Sequence, residues 1–197
     1  MGLSQERLGR IHETIQRHMD LHQITGAVTL VARKGRVAHL EAHGLMDVEG
    51  KRAMAKNAIF RIWSMSKPVA GVAILMLMDE GKVRLNDPVS RFIPEFRGMK
   101  VGATREPSVR EITIQDLLTH VSGLGSGPVS SAEMSKLPKK PTDTLSDSIP
   151  LLGSTPLEFQ PGSRWTYSPG AAFDTLGRVV EVASGLSFEK FLKTRLF

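Results

Sequence analysis

Ser64 and Lys67 stand three positions apart in Ser64-Met65-Ser66-Lys67, at the head of the apolar run Pro68-Val69-Ala70-Gly71-Val72-Ala73-Ile74-Leu75-Met76-Leu77-Met78. Residues with that spacing share a helix face, so the Lys67 amine reaches the Ser64 hydroxyl. A neutral amine beside a hydroxyl is one way to activate a serine nucleophile without histidine. Burial lowers a lysine pKa by up to about 3 to 5 units, and the apolar run offers such cover. The helix start adds a positive dipole end and free backbone N–H groups beside Ser64, where the oxyanion of an acyl transfer would form.

A second motif carries a partner for this pair. Gln160-Pro161-Gly162-Ser163-Arg164-Trp165-Thr166-Tyr167-Ser168 is a Pro-Gly turn that delivers the only tyrosine of the chain just before another apolar-periodic segment. A loop tyrosine can share a proton with a neighbouring lysine. Each motif alone has a plainer reading. Ser64 can be a helix N-cap with Lys67 snorkelling into water, and Trp165 and Tyr167 can be packing residues with a polar tip in solvent. The spacing recurs at Ser187-Phe188-Glu189-Lys190. There an N-cap followed by an amphipathic run with solvated lysines is the better account.

The elements that must position these residues follow from periodicity. Leu8, Ile11, Ile15 and Met19 recur at helical spacing over residues 3–21. Residues 27–40 read as two strands about Lys34-Gly35, a hairpin that needs further strands for stability and leaves an edge open to pairing. The Ser64 helix ends near Gly81. Residues 93–107 read as loop leading to a short helix about Asp116, and residues 125–156 as a long loop bordering the cleft and tuning substrate choice. Phe173, Leu176, Val179, Val180 and Ala183 mark a last long helix closed by Gly185. No internal repeat is present.

Other chemistries are weakly supported. His12, His18 and His22 lie on the first helix. The last two are four apart, but the face is polar and H-E-x-x-H is absent, so no metal is expected. His120 reads as a structural hydrogen-bonder, and the lack of G-x-S-x-G disfavours a serine-histidine triad. The absence of cysteine excludes disulfides, a thiol nucleophile and thiolate zinc ligands. The 197 residues, 41% hydrophobic and 23% charged, have ordinary globular composition. A net charge of +6 arises from scattered Lys and Arg without a nucleic-acid motif. No apolar h-region opens the chain, and no segment approaches the roughly 18 apolar residues of a membrane span. The expectation is a soluble, cytoplasmic protein bound to neither nucleic acid nor membrane.

With these residues in place, the chain resembles the serine β-lactamase-like, penicillin-recognising enzymes: class C β-lactamases, the related DD-peptidases and family VIII carboxylesterases. Phe60-Arg61-Ile62-Trp63-Ser64-Met65-Ser66-Lys67-Pro68 is similar to the nucleophile segment of those esterases. Leu85-Asn86-Asp87-Pro88-Val89 and Thr113-Ile114-Gln115-Asp116-Leu117-Leu118-Thr119-His120-Val121-Ser122-Gly123-Leu124 resemble family segments that follow in the same order. The resemblance implies an α/β (α+β) fold of the β-lactamase-like type, a helical region plus an incomplete antiparallel sheet. Residues 1–60 would hold the N-terminal helix and hairpin of the sheet region, and residues 61–197 the mainly helical region, the C-terminal part of the family fold being absent. Ser64 is then the acylated nucleophile, Lys67 its base or proton relay, and Tyr167 the group that activates Ser64 or protonates the leaving group; no cofactor is needed.

Two departures shape the functional expectation. Pro169 stands where class C β-lactamases carry the asparagine of Tyr-x-Asn, and a proline has no side-chain amide to hold a lactam. Hydrolysis of small carboxylic esters is therefore favoured over that of lactams. Family members are also roughly twice this length as the resemblance has it, and their last strand motif, which supplies the second oxyanion N–H, lies beyond Phe197. A β-lactamase or DD-peptidase, and a non-catalytic binding module, are the alternatives. A partner chain that supplies the missing strands is a further arrangement.

Overall fold

In the computed structural model, which describes residues 2–197, Ser4 opens the first helix, α1 (Gln5–Asp20), its hydroxyl accepting from the Arg7 N–H at 3.2 Å. Glu6 lies in the first turn and Arg17 and His18 in the last, each complementing the helix dipole. Leu8, Ile11, Ile15 and Met19 are the half-buried stripe that the spacing predicts. Strands β1 (Gly26–Arg33) and β2 (Arg36–Asp47) pair antiparallel. Lys34 and Gly35 join them with φ of 51° and 70°, the left-handed pair that a two-residue hairpin turn requires. The short β3 (Arg52–Ala53) completes a three-stranded sheet of order β1-β2-β3, which leaves β1 at an edge among the described residues. These elements make one compact unit, residues 2–61.

Residues 62–197 make a second unit with its own core. A 3₁₀ turn, Trp63–Met65, leads into α2 (Ser66–Asp79). Pro68 is tolerated in its first turn because an N–H there has no intrahelical acceptor. Ala70, Ala73, Ile74 and Leu77 are buried, and Gly81 at φ 71° closes the helix. A two-stranded ribbon, β4 (Lys100–Val101) with β5 (Glu106–Pro107), lies in the segment expected as loop. The capping box Thr113/Asp116 starts α3 (Ile114–Leu118). Residues 125–156 are not a structureless loop: they contain α4 (Pro128–Ser135), α5 (Leu145–Ser148) and a 3₁₀ turn, Pro150–Ser154. Gly127 precedes Pro128, and Thr144 caps α5 with Asp147 in a second box. Local capping thus makes short helices where apolar periodicity is too weak to announce them.

Helix α6 (Ala171–Ser184) is the element predicted from Phe173 to Ala183, and Gly185 at φ 73° ends it. It packs on α2 and α3 and buries Ala172, Leu176, Val179 and Val180 against Ile74, Leu77, Ile114 and Leu117. Each Val, Leu or Ile side chain among these withdrawn from water contributes about 1.5–3 kcal/mol. Ser187 caps the short α7 (Phe188–Phe191) by accepting from the Lys190 N–H at 3.2 Å, so the second S-x-x-K is a helix cap. A π-helical turn, Leu192–Leu196, follows. Among the described residues no helix is long and apolar enough to cross a membrane.

Candidate active site

Ser64 sits in the turn that feeds α2, directly after Trp63, which is 81% exposed and holds a left-handed φ of 47°. Such a conformation costs a bulky residue of order 1–3 kcal/mol and is retained where the surroundings impose it. Its effect is to present the Ser64 hydroxyl at the head of the helix. That hydroxyl does not cap: Met65 holds the N-cap position of α2, with no side-chain cap bond. Ser64 Oγ lies 2.5 Å from Tyr167 Oη and accepts from Lys67 Nζ at 3.2 Å. The capping reading of Ser64 gives way to a three-residue cluster, and Ser64, Lys67 and Tyr167 are all in it.

Lys67 is half-buried, and its ammonium also donates to the Pro169 carbonyl at 2.6 Å. It lies 5.0 Å from the centroid of the Tyr167 ring and 5.6 Å from that of Phe173. The hydrogen bond with Ser64, then that with Lys67, draws the Tyr167 phenol below its ordinary pKa of 10.0, against a smaller opposing effect of desolvation. The phenolate is therefore easier to reach here than in water.

The tyrosine loop is held by residues outside the cluster. His120, at φ 60°, accepts from the Thr166 N–H through its carbonyl at 3.1 Å and from the Ser168 N–H through Nδ1 at 3.2 Å. Its ring lies 4.8 Å from that of Tyr167 and 5.4 Å from that of Phe173. Burial first, and the Lys67 charge second, push its pKa below the usual 6.5, which keeps Nδ1 an acceptor. The expected structural role of His120 is thus visible as two bonds across Tyr167. Behind it, the Gly162 N–H donates to the Val121 carbonyl at 2.8 Å. Arg110 packs against Gly162 and binds Asp116 through two hydrogen bonds of 2.5 and 2.9 Å. Burial raises the Asp116 carboxyl, but the Arg110 bond and two from Thr113 outweigh it and hold it below the usual carboxylate range.

Asp174 of α6 is the member that sequence reasoning missed. Burial raises its carboxyl pKa, with the Lys67 charge pulling the other way. The available signal was an acidic residue in the first turn of the helix that follows the Tyr167 loop. Together with Trp63, Ser64, Lys67, Ala70 and Phe173 it lines a cavity of about 270 Å³. Pro169, Gly170 and Asp174 also line a second cavity, of about 450 Å³, walled by Met134, Leu137, Ile149 and Leu152. The segment expected to border the cleft supplies those walls. Chemically, a hydroxyl flanked by a phenol and an amine is a nucleophile with a proton relay. No metal-ligand cluster occurs at this site among the described residues.

Comparison with known proteins shows the family and the fold. A family model described as Beta-lactamase matches residues 11–197. Esterase EstB of Burkholderia gladioli is 39% identical over 171 residues, which cover 83% of this chain and 42% of that protein. Among solved structures, EstCE1, described as a hydrolase with promiscuous acyltransferase activity, matches with a TM-score of 0.83 at 31% identity over 96% of this chain and 50% of its own. An octameric penicillin-binding protein homologue from Pyrococcus abyssi gives a TM-score of 0.76 at 26% identity, over 96% and 42%. The chain spans half or less of the length of each of these proteins. Its fold is the β-lactamase-like one, with helices and small antiparallel sheets. Because that family model matches residues 11–197, nearly the whole chain, the chain belongs to the beta-lactamase family.

Proposed function

We propose that this chain carries the nucleophile and proton relay of a serine hydrolase of carboxylic esters. The observation that carries the reading is the 2.5 Å contact between Ser64 Oγ and Tyr167 Oη, with Lys67 Nζ bonded to the same serine oxygen. Tyr167, as phenolate, takes the Ser64 proton while Oγ attacks the ester carbonyl. The Lys67 ammonium sits where it offsets the negative charge on both oxygens. The Ser64 N–H, in the turn that feeds α2, is a candidate donor to the oxyanion. Collapse of the tetrahedral intermediate breaks the ester C–O bond, and the proton held by Tyr167 passes to the departing alkoxide. Water then attacks the acyl-serine by the same relay in reverse and releases the acid.

Ester is favoured over lactam on two grounds. Pro169 contributes a main-chain carbonyl, bonded to Lys67, where a lactam-directed site wants a side-chain amide. EstB and EstCE1 are described as an esterase and a hydrolase. The apolar 450 Å³ cavity offers room for the acyl group.

The test is intact mass after treatment with a fluorophosphonate probe, beside Ser64→Ala. One adduct per chain that Ser64→Ala abolishes supports the reading. Turnover of p-nitrophenyl esters well above that of nitrocefin then assigns the ester class, and comparable turnover favours a β-lactamase or DD-peptidase. No adduct on folded protein overturns catalysis by this chain and leaves the binding module.

A further inference from the structure

The sheet face that α1 meets is polar where a helix-covered face is ordinarily apolar. Period two along β2 sets His39, Glu41 and His43 on that face, and Thr29 of β1 lies opposite Glu41. His39 and His43 are only 9% and 5% exposed. Thr29 Oγ1 bonds His39 Nε2 at 2.7 Å and His43 Nε2 at 3.2 Å. From α1, His12 comes over the same spot, with ring centroids of His12 and His43 5.2 Å apart. Glu41 Oε2 lies 3.6 Å from His12 Nδ1 and 3.6 Å from His43 Nε2, too far for a hydrogen bond to either. This carboxylate oxygen is buried and has no hydrogen-bond partner among the described residues. An ionised oxygen in that position is unfavourable unless something positive meets it.

We propose that His12 Nδ1, Glu41 Oε2 and His43 Nε2 form a binding site for a divalent transition-metal ion of the zinc type, which ties α1 to β2. The three donor atoms lie within 4.8 Å of one another. Zinc–nitrogen and zinc–oxygen bonds of about 2.0–2.2 Å at tetrahedral angles set ligands about 3.3–3.5 Å apart, so the two 3.6 Å pairs need to close by a few tenths of an ångström, and the His12–His43 pair, within 4.8 Å, closes by a turn of the exposed His12 side chain. Two imidazoles and one carboxylate suit zinc, whereas magnesium and calcium prefer all-oxygen shells. His43 exchanges its longer bond to Thr29 for the metal, and Thr29 keeps its shorter bond to His39. Water completes the fourth position. The site is structural and takes no part in ester hydrolysis.

The test uses tag-free chain stripped with a chelator, then titrated with zinc chloride by calorimetry and with cobalt(II) by visible absorption. The expected result is one ion per chain, a raised melting temperature, and the intense visible bands of four-coordinate cobalt. His12→Ala, which removes a side chain 58% exposed and so leaves the fold in place, and Glu41→Gln each weaken binding by about tenfold or more and abolish the cobalt bands. His18→Ala leaves binding unchanged, since His18 bonds Gln23 instead. Absence of stoichiometric binding by the unsubstituted chain, or binding indifferent to His12→Ala and Glu41→Gln, overturns the site.

Discussion

Ser64 Oγ and Tyr167 Oη meet at 2.5 Å although 103 positions separate them in the chain. The contact joins two motifs, each with a plausible packing explanation of its own. It predicts that Tyr167→Phe slows fluorophosphonate labelling of Ser64 by about 10²–10⁴-fold, the usual worth of a positioned acid–base group, while Ser64→Ala abolishes it. Both variants should melt close to the unsubstituted chain, because Ser64 is exposed and Tyr167 is 39% exposed. Equal labelling rates in Tyr167→Phe would remove the tyrosine from the relay.

Labelling should also depend on pH in a stated direction. The relay needs the phenolate, and the bonds with Ser64 and then Lys67 draw Tyr167 below 10.0. The rate therefore rises with pH, with a midpoint under 10.0. Lys67→Met removes one of the two stabilising bonds and moves that midpoint upward. A midpoint unmoved by Lys67→Met would mean that another group limits the rate.

The sequence reveals the parts with strong local signals and loses those assembled across elements. The helical stripe of Leu8, Ile11, Ile15 and Met19, the Lys34-Gly35 hairpin, the apolar run of α2 and the Phe173–Ala183 periodicity all correspond to elements of the fold. The ribbon β4–β5 is invisible beforehand because two-residue strands have no period. The histidines show the same limit. His18 and His22 have metal-like helical spacing, yet His18 bonds Gln23 and His22, at φ 54°, lies beyond the helix end. The convergent set is His12, Glu41 and His43, two from alternate positions of a strand and one from a helix. Only the packing of α1 on β2 brings them together.

His120 links acid conditions to the tyrosine loop. Its folded pKa lies below 6.5 because burial, then the Lys67 charge, disfavours the imidazolium, so the unfolded chain takes up a proton first as pH falls. The stability it contributes is complete above 6.5 and is lost progressively as pH drops from there through the lower folded value. Melting temperature should fall over that window in the unsubstituted chain. His120→Asn, whose side chain tolerates the φ of 60°, should flatten that part of the profile and loosen the loop. A profile with the same slope in both proteins would assign the acid sensitivity elsewhere.

Gly123 fixes the turn that follows His120, and a single methyl group added there would meet main chain. Its φ is +76°, and an added Cβ would stand 2.6 Å from the Phe159 carbonyl oxygen and 3.2 Å from the Phe159 nitrogen. The neighbouring strand of chain cannot retreat cheaply, since the Glu158 N–H donates to the Gly123 carbonyl at 2.8 Å. Gly81 provides the control, with φ +71° and no heavy atom within 4 Å of an added Cβ. Gly81→Ala should cost only the left-handed backbone penalty, about 1–2 kcal/mol, whereas Gly123→Ala adds a backbone clash and should cost about 3 kcal/mol or more. Thermal melts of the two variants measure the difference directly. Because the carbonyls of His120 and Val121 bind Thr166 and Gly162, the Gly123→Ala shift also reaches Tyr167 and should slow Ser64 labelling, while Gly81→Ala leaves it unchanged. Equal melting temperatures for the two variants would show that the Phe159 backbone yields to the methyl group.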